Sequence, residues 1–213
     1  MGYASNLYGV ILAAGESSRM GRDKALLPWP PTASSTPGET FLSAAVKLFA
    51  PYVDIVLVVV GKNEQSLAPV VYANGASLIA NPNPDCGQFS SLKTGLQEVL
   101  NRGRDAAMIT LVDRPPVRPE TIQALVTAFE QAMHGRKWAV VPEFQGKHGH
   151  PILAGRAMME ALLRAPDSSN AREVMHANQT MVEYIPVADP LVTINIDTPE
   201  QYAALSAGVL HAS

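Results

Sequence analysis

The sequence predicts an α/β fold built on a mostly parallel sheet covered on both faces. Short apolar runs alternate along the chain with segments whose apolar residues recur at helical spacing. The runs are continuous, as in Tyr8-Gly9-Val10-Ile11-Leu12 and Ile55–Val60, which marks strands buried on both sides rather than on one. The polar clusters with chemical potential each follow such a run, and open parallel sheets bind ligands at the carboxyl ends of their strands.

Taken in order, strands are expected at Tyr8–Ala13, Ile55–Val60, Ser77–Ala80, Ala106–Val112, Trp138–Pro142, Met181–Pro186 and Thr193–Ile196. A helix is expected over Phe41–Phe49 behind the cap Thr40, with others over Ser91–Leu100 and over Glu120–Met133, the last opening next to Pro119. Pro28 to Gly38 is rich in Pro, Ser and Thr and fits neither a helix nor a central strand. It reads either as a loop over a ligand pocket or as a plain surface excursion. No internal repeat or linker divides the chain, so residues 1–213 are expected to form one domain with its core at about 8–205.

Composition narrows the function. The 213 residues are 47% hydrophobic and 16% charged, enough for one sizeable core and far from a disordered composition. A net charge of −3 with scattered Lys and Arg argues against a nucleic-acid partner. The lone Cys86 cannot form an internal disulfide and fits a reducing cytoplasm. The N-terminus lacks the basic and apolar regions of a secretory signal, and the run Ile55–Val60 is too short to span a bilayer. A cytoplasmic protein without a membrane partner is therefore expected.

The most informative stretch is Leu12-Ala13-Ala14-Gly15-Glu16-Ser17-Ser18-Arg19-Met20-Gly21-Arg22-Asp23-Lys24, directly after the first expected strand. Small residues let backbone N–H groups approach phosphate oxygens, and the cations Arg19 and Lys24 neutralise them. The spacing is not that of a P-loop, since five residues separate Gly15 from Gly21 and Lys24 lies further on. It is not a dinucleotide fingerprint either. A simple strand–loop–helix corner would leave Arg19 and Lys24 unexplained.

Two aspartates stand out. Asp113 follows the run Ala106–Val112 and is held by Arg114-Pro115-Pro116, a placement that suits a Mg²⁺ ligand, because magnesium binds through one or two carboxylates plus substrate phosphates. Asp197 lies in Thr193-Ile194-Asn195-Ile196-Asp197-Thr198-Pro199-Glu200, where a helix cap competes with metal binding unless Thr198 takes the capping role. After the third expected strand comes Asn81-Pro82-Asn83-Pro84-Asp85-Cys86-Gly87-Gln88-Phe89-Ser90-Ser91, whose amides and hydroxyls can read a base edge and a ribose while Gly87 allows close backbone approach. Ser90 or Ser91 also suits the start of the following helix. His148-Gly149-His150-Pro151 has no Cys or carboxylate at zinc spacing.

The first of these stretches resembles the signature L-A-(A/G)-G-x-S-x-R-M-G-x-x-K of the MobA-like nucleotidyltransferases and meets every defined position. The resemblance extends in order from Tyr8 to about Leu205. It implies a single-domain, Rossmann-like three-layer sandwich of the nucleotide-diphospho-sugar transferase type, and an enzyme that moves a nucleotide monophosphate onto a phosphorylated acceptor with Mg²⁺ as cofactor. It assigns triphosphate binding to Leu12, Ala13, Ala14, Gly15, Ser17, Arg19, Met20, Gly21 and Lys24, with Lys24, Arg19 and Asp113 catalytic and Asp113 and Asp197 on the metal. Asn81, Gly87, Ser90 and Ser91 would line the nucleoside, and Gly149, His150 and Pro151 the acceptor.

Within the family, Ala13-Ala14 before Gly15 points to CTP, and the acceptor is then molybdopterin, with a molybdoenzyme or its maturation factor as a further partner. Asp167-Ser168-Ser169-Asn170-Ala171-Arg172 departs from the Gly-Ala-Arg of close relatives, which puts the acceptor in question. Transfer to a sugar or polyol phosphate, use of GTP, and a nucleotide- or cofactor-binding chaperone without catalysis stay open as alternatives.

Overall fold

The computed structural model describes residues 7–15, 20–30 and 38–206. Ser17, Arg19 and positions 31–37 of the Pro-rich stretch lie outside the described residues. The strands are β1 (Leu7–Leu12), β2 (Val56–Val60), β3 (Ser77–Ala80), β4 (Ala106–Leu111), β5 (Ala139–Phe144), β6 (Lys147–His148), β7 (Ile152–Gly155) and β8 (Val182–Pro186). The helices are α1 (Phe41–Phe49), α2 (Glu64–Ala73), α3 (Gln88–Asn101), α4 (Pro119–His134), α5 (Arg156–Arg164), α6 (Ala171–Ala177) and α7 (Pro199–Ser206).

One sheet runs in the order β3-β2-β1-β4-β7-β5-β6, with β8 beside β5. The pairs β1–β2, β1–β4, β2–β3 and β5–β8 are parallel, and β7 enters antiparallel between β4 and β5. The continuous apolar runs are explained by cover on both faces. Ile11, Val58 and Val60 pack with α1, α2 and α4, while Val10, Leu57 and Val59 pack with α3 and α5. A third cluster joins Met20, Leu27, Phe41, Ile194 and Ile196 at one end of the sheet.

Helix α1 starts as expected: the Thr40 hydroxyl accepts the Ser43 N–H, and Ser43 returns a bond to the Thr40 backbone. Thr193–Ile196 is not a strand. Its start closes the 3-10 turn Pro190–Thr193, the Ile196 N–H donates to the Asp113 carbonyl at 2.9 Å, and the two isoleucines fill the third cluster. Pairing with the Asp113 turn and burial of alternate apolar side chains produced the strand-like pattern without a ladder. Conversely, β7 is not among the strands expected from the sequence, because its short run ending in Gly155 carries no alternation to mark it. No helix among the described residues is long and apolar enough to cross a membrane.

Candidate functional site

The parallel strands β1 to β4 end at a cleft of about 470 Å³, lined by Leu12, Ala14, Gly15, Lys24, Lys62, Pro84, Asp85, Gly87, Gln88, Ser91, Leu111, Val112, Asp113 and Asp197. Most of its walls come from the chain just past a strand. The loop after β1 supplies Ala14 and Gly15, that after β2 Lys62, that after β3 Pro84 to Gln88, and that after β4 Asp113. Gly61 lets these loops close on one another, since a Cβ there would sit 2.9 Å from the Ala14 carbonyl oxygen and 3.0 Å from Pro84 Cβ. Gly87 has φ +85°, a conformation that favours glycine, and stands at the N-terminus of α3. The first turn of α3 thus opens its positive dipole end onto the cleft.

Lys24 and the two aspartates meet at one end. Asp23 caps the 3-10 turn Lys24–Leu26 by accepting the Ala25 N–H. Lys24, 8% exposed, then places Nζ 2.6 Å from Asp197 Oδ1 and 3.7 Å from Asp113 Oδ2. The hydrogen bond between the Ile196 N–H and the Asp113 carbonyl draws the aspartate segments together, and Arg114 reinforces it by donating to the Thr193 and Ile194 carbonyls at 3.3 and 3.2 Å. Asn195 Nδ2 donates to Asp197 Oδ2 at 2.5 Å. Burial holds the Asp113 carboxyl above its ordinary value against the opposing pull of Lys24 and Arg114, and burial lowers the Arg114 guanidinium. Asp113 Oδ1 and Asn195 Oδ1 are buried without a hydrogen-bond partner. Orphaned oxygen acceptors beside a second carboxylate are a donor set that fits a hard divalent cation.

The competing capping role of Asp197 goes to its neighbour. The Thr198 Oγ1 accepts the Gln201 N–H at 3.4 Å and the Thr198 carbonyl the Tyr202 N–H at 3.1 Å, while Gln201 Oε1 accepts the Asp197 and Thr198 N–H groups. The Asp197 carboxylate is thereby left to Lys24 and Asn195.

Of the residues singled out in the sequence, Leu12, Ala14, Gly15, Lys24, Gly87, Ser91, Asp113 and Asp197 line the cleft together. Others lie behind it. Ala13 is 1% and Met20 7% exposed, the latter within the third apolar cluster. Gly21 supplies a turn at φ +66°. Asn81 is buried, and its amide is spent internally: Nδ2 donates to Ser90 Oγ and Ser91 Oγ at 2.9 Å each, and Oδ1 accepts the Asn83 N–H. It binds the end of β3 to the start of α3 and so shapes the wall. Ser90 donates back to the Gly87 carbonyl at 2.8 Å. Cys86 is exposed on the turn Pro84–Cys86 rather than on the cleft wall.

The Gly149-His150-Pro151 stretch is placed behind the aspartates rather than along the cleft. A Cβ on Gly149 would run into the Val192 carbonyl oxygen, and that same oxygen accepts the His150 N–H at 2.9 Å. His150 Nδ1 lies 3.5 Å from the Ile109 carbonyl oxygen. Burial first, and the Arg114 charge second, push its pKa down to about 4. The motif thus packs β4 against the segment that carries Asp197. Asn170, in the stretch that departs from Gly-Ala-Arg, caps α6 by accepting the Glu173 N–H.

Sequence reasoning missed Lys62, which follows the end of β2, while Asp85 and Gln88 lie within the segment already expected to meet the nucleoside and also line the cleft. Lys62 Nζ and Asp85 Oδ1 pair at 2.6 Å across the rim. It also missed Asn63, and it quoted Asn195 only as a neighbour of Asp197.

A family model described as a MobA-like NTP transferase domain matches residues 9–184. The molybdenum cofactor cytidylyltransferase of Escherichia coli (strain K12) is 27% identical over 195 residues, covering 91% of this chain and 92% of that protein. The purine catabolism protein PucB of Bacillus subtilis (strain 168) is 28% identical over 205 residues, covering 92% of this chain and 94% of that protein. Among solved structures, Rv0371c from Mycobacterium tuberculosis H37Rv superposes with a TM-score of 0.75 at 22% identity, over 94% of this chain and 98% of that one, a likeness of fold.

Proposed function

This chain belongs to the MobA-like NTP transferase family, and on that premise we propose that it is a nucleotidyltransferase that moves CMP from CTP to the phosphate of molybdopterin. An acceptor phosphate oxygen attacks the α-phosphorus of CTP in line. The new P–O bond forms as the bond from the α-phosphorus to the bridging oxygen breaks, and pyrophosphate leaves with that electron pair. The observation that carries the reading is Lys24 Nζ placed 2.6 Å from Asp197 and 3.7 Å from Asp113 at the end of a cleft walled by the loops after β1 to β4.

No covalent intermediate is needed, so positioning and charge neutralisation supply the acceleration. The triphosphate lies along Ala14 and Gly15, with Lys24 and Arg19 balancing its charge. Gly87, Gln88 and Ser91 meet the nucleoside, and Asn81 holds that wall in place. Leu12 and Leu111 present apolar surface that excludes water from the reacting phosphates. Asp113 and Asp197 would hold Mg²⁺, which supplies Lewis-acid neutralisation of the triphosphate when bound. CTP rather than GTP rests on Ala13-Ala14, and molybdopterin on the family's pairing of cytidylyl transfer with that acceptor.

Pyrophosphate release from CTP, GTP, UTP and ATP, each with molybdopterin and Mg²⁺, tests the reading. CTP is expected to give the highest rate. Equal or greater release from GTP would overturn cytidylyl transfer, and none from any nucleotide would leave a binding protein without catalysis.

A further inference from the structure

We infer that Asn63 is a positioning residue for Lys24, acting through Asp23; the inference rests on reading Lys24 as the triphosphate contact. Asn63 stands at the N-cap of α2, where an Asn side chain ordinarily accepts an N–H of the first helical turn. Here it makes no such bond. Its amide is turned away from its own helix and spent on other parts of the cleft wall. Nδ2 donates to the Ala13 carbonyl at 2.9 Å and to Asp23 Oδ2 at 2.6 Å, while Oδ1 accepts the Gly61 N–H at 3.1 Å.

These bonds form a chain of constraint that ends at Lys24. Asp23 uses its other oxygen to accept the Ala25 N–H at 3.0 Å, which caps the turn that begins with Lys24. The bond from Asn63 to a carboxylate is charge-assisted and therefore one of the stronger kind. Its partner Ala13 belongs to the loop that walls the phosphate end, so one planar amide locks the turn of Lys24 to that loop. Gly61 makes the reach possible, because a side chain there would hold the two loops apart. A carboxylate at position 63 would instead oppose Asp23, so an amide is the group the geometry requires. Lysine is a long side chain with much rotamer freedom. Fixing the backbone that carries it restricts where its ammonium can meet a phosphate.

A brace that works through Lys24 differs from one that merely holds the fold. If Lys24 is absent, removing the brace should cost nothing further in triphosphate binding. The test is a double-mutant cycle on the dissociation constant of magnesium CTP, measured by titration calorimetry for wild type, Asn63→Ala, Lys24→Met and the double variant. Asn63→Ala is expected to weaken binding about tenfold, as loss of a hydrogen bond to a charged group does, and to change it less than about twofold in the Lys24→Met background. Equal losses in both backgrounds, or no loss in wild type, would overturn the inference while leaving the function intact. If Lys24→Met alone leaves binding unchanged, the phosphate role of Lys24 falls, and the inference with it. Should Asn63→Ala fail to fold, Asp23→Asn enters the same cycle. It keeps an oxygen for the Ala25 N–H but sets an amide N–H against Asn63 Nδ2, so it breaks the brace alone and should show the same loss and the same disappearance.

Discussion

Replacing Lys24 by Met removes the cation between the two aspartates while keeping most of the unbranched apolar stem of the side chain. Its Nζ lies 2.6 Å from Asp197 Oδ1 and 3.7 Å from Asp113 Oδ2, with the lysine side chain 10% and the aspartates 24% exposed. At an effective dielectric constant near 20, a unit pair at the shorter distance attracts by roughly 6 kcal/mol before desolvation and side-chain entropy are charged against it. Breaking a fully buried pair from one side costs about 3–5 kcal/mol. Because the aspartates keep some contact with water, a loss of about 2–3 kcal/mol is expected here. For a chain of this size that lowers Tm by about 4–12 °C.

The dependence on pH identifies the cause. Burial already holds Asp113 above the usual carboxylate range, and Lys24 is the first charge offsetting it. Without Lys24 its pKa rises further, so the folded variant takes up protons more readily than the unfolded chain. The deficit is therefore largest above neutral pH, where both aspartates are charged, and shrinks as pH falls and they protonate. Thermal denaturation followed by circular dichroism at pH 7.5 and 4.5 measures it. A Tm within about 1 °C of wild type at pH 7.5, set against the shift expected for this size of chain, would refute the reasoning. So would a deficit equal at both values. Pyrophosphate release by the folded variant should fall on the order of 100-fold.

Asp113→Asn and Asp197→Asn should each need more Mg²⁺ for half-maximal turnover, with non-additive effects because both would act through one ion; an unchanged Mg²⁺ titration excludes that residue from the metal. Thr198→Ala should cost about 1 kcal/mol in chemical denaturation and leave the Mg²⁺ titration unchanged, since it is the helix cap. His150, with its pKa lowered to about 4, is neutral when folded, so its contribution is complete above its ordinary value of 6.5 and is lost as pH falls towards 4. Against His150→Gln, wild type should show up to about 3 kcal/mol of extra pH-dependent loss across that window, and parallel stability curves would exclude it. Gly149→Ala should lower the denaturation midpoint by about 1–3 kcal/mol of stability, because its Cβ meets the Val192 carbonyl, which cannot withdraw without moving the segment of Asp197.

Patterns that depend on neighbours along the chain were legible in the sequence. The continuous run around Val10 and Ile11 requires a strand covered on both faces, and the structure buries each at 0% exposure. Thr40 caps α1 through bonds within one turn, so its role could be read locally. Lys24, Asp113 and Asp197 each lie past an apolar run or beside a helix start, and the rule that ligands gather at strand ends brought them to one cleft. Contacts across long stretches of chain were not legible. Lys24 meets Asp197 where the Ile196 N–H pairs with the Asp113 carbonyl, and the expected strand is there a connecting segment. Asn81 carries groups suited to a base edge, yet the approach of α3 to the end of β3 uses them up. Asn63 stands at the start of α2, where an Asn ordinarily caps its own helix, but Asp23 and Ala13 claim its amide. The residue types thus set the chemistry available at the strand ends. Which group is free to meet a ligand depends on partners distant in sequence, because a hydrogen-bonding group already satisfied by a neighbour has little left to offer.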